Sequence, residues 1–113
     1  MKVDKPWGHE VRWAISEKYL GKILHINGGH SLSRQYHEAK DETIYVLDGV
    51  LILELGNNPV KELRLRQGES YRIKPLTIHR FRAPLGCDVR LVEVSTPEID
   101  DVVRLEDNYG RVQ

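Results

Sequence analysis

Residues 29–49 read GHSLSRQYHEAKDETIYVLDG, and this stretch predicts both the fold and the site of the 113-residue chain. Gln35 and His37 are two positions apart, so on a β-strand their side chains point to the same face. Glu42 and the downstream His79 can join them only if the chain folds back as a sheet. An amide oxygen, two imidazoles and a carboxylate together suit a borderline divalent cation. The spacing and chemistry of these four residues therefore predict one metal ion on a β-scaffold, with Gln35, His37, Glu42 and His79 as its ligands.

The four predicted ligands are not equivalent. Glu42 fits a ligand role because a carboxylate on an inward strand face is costly unless it is paired or coordinated. Gln35 is the weakest of the set, and its alternative is a hydrogen bond to another ligand. Zinc is the first choice of metal, with manganese, iron, nickel and cobalt as alternatives.

Turn signals divide the rest of the chain into short segments of strand length. Asp48-Gly49 lies between two apolar runs, 42–47 and 50–55, and predicts a β-hairpin because both residues tolerate positive φ. No window has a sustained helical period. We expect an all-β protein. The further turn signals are Gly8, Gly21, Gly28-Gly29, Gly56-Asn57-Asn58-Pro59, Gln67-Gly68, Pro75 and Pro84-Leu85-Gly86.

Length and composition predict one domain over residues 1–113, with an N-terminal arm of about 1–10 and a C-terminal tail of about 97–113. The tail is the one place that could hold a short helix or an added strand. The 17 basic and 17 acidic residues cancel, so no nucleic acid or membrane partner is expected. Cys87 is the only cysteine, and with no apolar N-terminal stretch it predicts a cytoplasmic protein without a signal peptide.

The strand predicted from Glu42 onward is apolar on both faces. If Glu42 points inward, Ile44 and Val46 do so too, whereas Tyr45 and Leu47 face outward. Two outward apolar side chains need a cover, either the N-terminal arm with its two tryptophans or a second subunit. We favour a homodimer.

The frame of glycines and ligands resembles the two motifs of the cupin superfamily, with Gln35 at a position where histidine is more common. More than the frame matches, because residues 5–111 resemble the C-terminal domain of bacterial type II mannose-6-phosphate isomerases. That domain usually follows a mannose-1-phosphate guanylyltransferase, for which this chain is too short. The resemblance implies a small antiparallel jelly-roll β-barrel. It is carried by Lys5-Pro6-Trp7-Gly8, Lys22, Leu32-Ser33, Gly68-Glu69-Ser70, Glu93-Val94, Asp100-Asp101-Val102-Val103-Arg104 and Tyr109-Gly110-Arg111.

The same resemblance implies a metal-dependent interconversion of mannose 6-phosphate and fructose 6-phosphate. Such a reaction moves a proton between adjacent carbons and needs a base near the metal. Lys22 and Glu93 are the candidates, although Val92 and Val94 compete with Glu93 for the inward face. The residues expected to bind the sugar phosphate are Ser33, Lys40, Arg104 and Arg111.

The sequence also departs from its relatives beside the predicted metal site. Lys40 stands where the family has arginine, and a lysine lacks the two-pronged fork that grips a phosphate. Thr43 replaces a family histidine. These changes leave two alternatives open, a non-catalytic cupin that binds a sugar or other small molecule, and a metal-dependent cupin oxygenase.

Overall fold

The computed structural model describes residues 1–112 and builds them from β-strands, with no α-helix in that range. Gln113, the last residue of the predicted tail, lies outside the described residues. The eleven strands are β1 (Lys2–Lys5), β2 (Gly8–Ile15), β3 (Leu20–Ile26), β4 (Arg34–Tyr36), β5 (Glu42–Asp48), β6 (Val50–Leu55), β7 (Lys61–Arg66), β8 (Ser70–Ile73), β9 (His79–Arg82), β10 (Val89–Ser95) and β11 (Val103–Glu106).

The strands form two antiparallel sheets that enclose one core. The six-stranded sheet has the order β1-β2-β3-β10-β5-β8, and the five-stranded sheet has the order β11-β4-β9-β6-β7. Strands distant in sequence lie side by side in both sheets, as in a jelly roll. The prediction of an all-β, antiparallel jelly roll is confirmed. Within residues 1–112 the strands pair in two separate sheets and not in one closed ring, so the barrel is open.

Strand β5 shows why this sequence folds as a two-layer structure. Its side chains alternate, with Ile44 and Val46 fully buried while Tyr45 remains 45% exposed and Leu47 is half-buried. This confirms the predicted orientation of the strand. Apolar side chains from both sheets close the core, including Leu24, Ile26, Leu51, Leu53, Ile73, Phe81, Val89 and Leu91.

The turn at Asp48-Gly49 is present, but the predicted hairpin is wrong. Gly49 has φ of 84°, and a Cβ there would come within 2.4 Å of the Asp88 carbonyl oxygen, so only glycine fits. Strands β5 and β6 nevertheless enter different sheets. Both edges of β5 are already paired, with β10 on one side and β8 on the other, so β6 has no free edge to join.

The N-terminal residues form part of the six-stranded sheet. Strands β1 and β2 pair as a hairpin at its edge, and Trp7 in the turn between them is 3% exposed and packs in the core. Trp7 therefore does not cover Tyr45. Trp13 lies over Gly21 and remains 54% exposed. The alternative, that a second subunit covers Tyr45 and Leu47, stays a prediction.

The C-terminal tail contributes a strand and not a helix. Strand β11 pairs with β4 and brings Arg104 opposite Gln35. The tail thereby joins the sheet that carries two of the predicted metal ligands.

Candidate metal centre

The four predicted ligands come from both sheets and meet at one end of the core. Gln35 on β4 lies directly opposite His79 on β9 in the five-stranded sheet. His37 follows β4 in a loop, and Glu42 is the first residue of β5 in the other sheet. The site therefore exists only where the two sheets face each other.

His37, Glu42 and His79 form a compact triad. Glu42 Oε1 lies 3.3 Å from His79 Nε2 and 3.5 Å from His37 Nε2, and the three donor atoms lie within 4.8 Å of one another. All three side chains are buried, and none of these donor atoms has a hydrogen-bond partner among residues 1–112. A buried polar atom without a partner costs about 1–3 kcal/mol. A divalent cation would satisfy all three atoms at once, so the residues fit a metal ion.

Both imidazoles are oriented by backbone carbonyls behind them. The Asp101 carbonyl accepts a hydrogen bond from His37 Nδ1, and the Thr77 carbonyl accepts one from His79 Nδ1 at 2.9 Å. A proton on Nδ1 leaves the lone pair of Nε2 free. In the neutral form of each ring the free lone pair is therefore on Nε2, which faces Glu42 and is the nitrogen that a metal would bind.

Gln35 is buried beside the triad and lines the same cavity. Ser33 Oγ donates a hydrogen bond to Gln35 Oε1 at 3.2 Å. Because the amide oxygen already accepts this bond, the role of Gln35 as a fourth ligand stays a prediction.

Asp101 fixes the loop that carries His37. Its carboxylate accepts hydrogen bonds from the backbone N–H groups of Glu38, Ala39 and Lys40 at 2.8–2.9 Å. Burial raises the pKa of Asp101, but these three hydrogen bonds outweigh burial and hold the pKa below its usual value. One tail residue therefore holds the ligand loop through its side chain and the His37 ring through its carbonyl.

Lys40 and Glu93 lie immediately behind Glu42. Lys40 Nζ is 2.9 Å from Glu93 Oε2 and 3.2 Å from Glu42 Oε2. Burial lowers the pKa of Lys40, yet the charges of Glu93 and Glu42 reverse that effect and keep the pKa above its usual value. Glu93 points inward while Val94 is 47% exposed, which settles the competition for the inward face.

The two carboxyl groups beside Lys40 differ in their charge preference. Burial raises the pKa of Glu93, and the neighbouring Glu42 carboxylate adds to this, so the pKa lies above its usual value. Burial also raises the pKa of Glu42, but the adjacent His37 and His79 rings and the Lys40 charge outweigh it. The pKa of Glu42 is well below its usual value. The surroundings therefore favour the ionised form of Glu42 and the protonated form of Glu93.

The triad opens into a cavity of about 310 Å³ between the sheets and the tail. Every predicted site residue except the deeply buried His79 lines it. Arg111 holds Asp107 through two side-chain hydrogen bonds at the rim. The lining residues that the sequence predicted are Lys22, Ser33, Gln35, His37, Lys40, Glu42, Glu93, Arg104 and Arg111.

Sequence reasoning assigned no role to five charged residues of the cavity wall, Lys5, Glu10, Arg12, Asp100 and Asp101. Glu10 and Arg12 are two apart on β2 and therefore share the inward face. This two-residue spacing could have identified Glu10 and Arg12 from the sequence as a pair on one face of the strand. The role of Asp101 depends on a contact between distant parts of the chain, which no local pattern reveals.

The chain thus combines an open antiparallel jelly roll with a His–Glu–His triad that fits a metal ion. The chain belongs to the cupin domain family, whose family description matches residues 22–95. The resemblance predicted from the sequence is confirmed, because the curated relatives match through cupin-like C-terminal regions.

Two curated relatives illustrate the match. Mannose-1-phosphate guanylyltransferase ManC of Salmonella typhimurium is 35% identical over 98% of this chain and 23% of its own length. Xanthan biosynthesis protein XanB of Xanthomonas campestris is 30% identical over 97% of this chain and 24% of its own length. The chain thus spans about a quarter of the length of these relatives.

Solved structures show the same fold at lower identity. KdgF from Halomonas sp. has a TM-score of 0.77 and 21% identity, over 88% of this chain and 90% of its own. The polyketide cyclase RemF from Streptomyces resistomycificus has a TM-score of 0.76 and 20% identity, over 86% of this chain and 70% of its own. In residues 1–112 we find no helix with the length and apolar character needed to cross a membrane.

Asp101→Ala is expected to weaken metal binding by about 10–100-fold, the usual effect of losing a residue that orients a ligand. The loop and the tail would separate, and the His37 ring would lose the carbonyl that sets its tautomer. Isothermal titration with zinc measures the affinity. Asp100→Ala is the matched control, because Asp100 is exposed and adjacent, and equal affinities for the two variants would contradict the role of Asp101.

Proposed function

We propose that this protein is a metal-dependent aldose–ketose isomerase that interconverts mannose 6-phosphate and fructose 6-phosphate. The proposal rests most directly on one observation, the cavity in which the buried Glu93 carboxyl group lies beside the His37–Glu42–His79 triad. The guanylyltransferase name of a relative with 35% identity adds a connection to mannose phosphates. A cytoplasmic location is part of the same proposal.

The reaction needs a proton carrier between two adjacent carbons. Starting from the open-chain aldose, the proton on C2 moves to C1, and a hydroxyl proton moves from O2 to O1. A divalent ion on the triad would polarise the sugar oxygens and so acidify the C2–H bond. Proton transfer and substrate binding would be carried out by side chains of this protein.

Glu93 is the better of the two predicted bases. Lys22 Nζ lies 3.1 Å from Glu10 Oε2, and an ammonium in an ion pair has no lone pair with which to accept a proton. Glu93 is an acceptor when ionised, and Lys40 Nζ holds its Oε2 at 2.9 Å. In this scheme Glu93 takes the proton from C2 and returns it to C1, while Lys40 positions the carboxyl group.

The other predicted substrate residues surround the same space. Ser33, Arg104 and Arg111 line the cavity, and both arginines belong to the C-terminal tail. Arg104 Nε is buried and has no hydrogen-bond partner among residues 1–112. We propose that Arg104 donates to a sugar oxygen.

The binding-module alternative has one specific observation in its favour. Lys40 stands at the position of a family arginine, and two carboxylates neutralise it. A protein without a free cation at that point could hold a sugar without converting it. Tight binding of fructose 6-phosphate without turnover would support this alternative.

The first test is a coupled assay of mannose 6-phosphate conversion with zinc, manganese, cobalt, nickel or iron. Turnover is expected with at least one metal, and a chelator should abolish it. His79→Ala should lose both bound metal and activity, whereas His9→Ala, outside the cavity lining, should keep both. Absence of turnover with all five metals would overturn the isomerase proposal. Turnover that fails under nitrogen would favour the oxygenase alternative.

Glu93→Gln is expected to lower kcat by about 10²–10⁴-fold, the usual contribution of a general base. KM and the metal content should change little, because the amide keeps the size of the side chain and Glu93 is not a predicted ligand. Steady-state kinetics together with metal analysis measures these effects. Glu17→Gln, at an exposed position, is the control, and a kcat equal to wild type would remove Glu93 from the mechanism.

We also propose that the exposed apolar face of the six-stranded sheet packs against a second copy of the chain. Trp13, Tyr45 and Val94 are each about half exposed there, and the N-terminal residues do not cover them. Val94→Lys should convert a dimer into a monomer in sedimentation velocity. The control is Leu85→Lys, in a loop and 92% exposed, and a wild-type monomer at all concentrations would contradict the dimer.

A further inference from the structure

Three cations surround one buried carboxylate on the cavity wall formed by β1, β2 and β3. Glu10 is 4% exposed, and its carboxylate lies 3.1 Å from Arg12 Nε, 3.1 Å from Lys22 Nζ and 3.5 Å from Lys5 Nζ. We call Lys5, Glu10, Arg12 and Lys22 the Glu10 cluster. Its three positive charges and one negative charge leave an excess of two positive charges facing the cavity.

The charge of this cluster is permanent around neutral pH. Burial raises the pKa of Glu10, but Lys22, Arg12 and Lys5 outweigh burial, and the pKa lies below its usual value. The cluster therefore keeps its carboxylate ionised and its cations in place. Arg12 uses Nε to hold Glu10, and its two terminal nitrogens donate no hydrogen bond to any atom of residues 1–112. Those nitrogens are donors available to a ligand.

The cluster lies at a defined distance from the metal triad. Arg12 pairs with Lys22, and Lys22 pairs with Glu93, so these three residues form one row across β2, β3 and β10. Strand β5, which carries Glu42, is the next neighbour of β10. Adjacent strands are about 4.8 Å apart, so the backbones that carry the cluster lie two to four strand spacings, about 10–19 Å, from β5. The side chains of the cluster converge on Glu10 inside the same cavity.

Because the cluster and the triad line one cavity, a single ligand can contact both. If C1 and C2 lie at the triad, the six-carbon chain extends away from it and carries the phosphate ester across the cavity. We propose that the Glu10 cluster binds the phosphate group of the substrate, with Arg12 and Lys5 as its principal donors. This inference rests on the proposed function, because it identifies where that substrate would be anchored.

The phosphate contact that the sequence predicted at Lys40 is thereby moved to the Glu10 cluster. Lys40 lies between Glu42 and Glu93, so that group carries one positive and two negative charges when both carboxyl groups are ionised. The charge of Lys40 is therefore already compensated and is not free to bind a phosphate. Arg111 is also occupied, since its side chain donates to both carboxylate oxygens of Asp107. The Glu10 cluster is the part of the cavity with the larger uncompensated positive charge.

The experiment compares two sugars that differ only by the phosphate. Metal-reconstituted protein is titrated calorimetrically with fructose 6-phosphate and with fructose. Arg12→Gln and Lys5→Gln are made singly, because each leaves two cations around Glu10 and so avoids an unpaired buried carboxylate. Arg90→Gln is the control, because Arg90 is exposed and pairs with Asp48 outside the cavity lining.

Each cluster variant is expected to bind fructose 6-phosphate about 10–100-fold more weakly than wild type, the range for losing one charged hydrogen bond. Affinity for fructose, metal content and thermal stability should stay close to wild type, as should all four properties in Arg90→Gln. Unchanged affinity for fructose 6-phosphate in both cluster variants would overturn the inference. So would a wild-type protein that binds fructose 6-phosphate no more tightly than fructose.

The outcome separates this inference from the proposed function. Phosphate-dependent binding that requires Arg12 and Lys5, without turnover, would uphold the anchoring site and reject the isomerase. Turnover in wild type with an unchanged KM in both cluster variants would uphold the isomerase and reject this anchoring site.

Discussion

The carboxylate of Glu42 is the constraint on which the rest of the structure depends. A carboxylate that is 2% exposed needs compensation, since removing one partner of a buried ion pair costs about 3–5 kcal/mol. Here the compensation comes from two imidazoles on one side and Lys40 on the other. Lys40 in turn requires Glu93, and His37 requires the tail carbonyl of Asp101. One buried charge thus specifies residues in both sheets and in the tail.

The interior is divided into an apolar half and a polar half, and the division follows from strand direction. Along β5 the inward residues run from Glu42 to Ile44 and Val46, and along β10 they run from Leu91 to Glu93. The two strands are antiparallel, so their polar ends lie together. Apolar packing stabilises one end of the fold. The other end is free to hold charges around a cavity.

The sequence predicted that His37, Glu42 and His79 would come together, because most of that pattern is local. Gln35, His37 and Glu42 lie within a few residues of one another, and the glycines between segments mark the turns. The orientation of β5 followed from simple alternation. Glu93 was ambiguous, since valines flank it on both sides, and only the pairing of β10 with β3 and β5 decides its face. The hairpin at Asp48-Gly49 was wrong because a turn motif carries no information about which strand edges are already occupied. Asp101 and the Glu10 cluster depend on long-range register, which a single sequence does not contain.

The position of Asp101 late in the chain determines when the candidate metal site becomes complete during synthesis. His37 and Glu42 leave the ribosome early, His79 follows much later, and the residue that clamps the His37 loop comes last of all. An ion captured during synthesis would meet an incomplete set of donors with unfixed rings. The donor set is therefore complete, with the His37 ring oriented, only after the tail has joined β4.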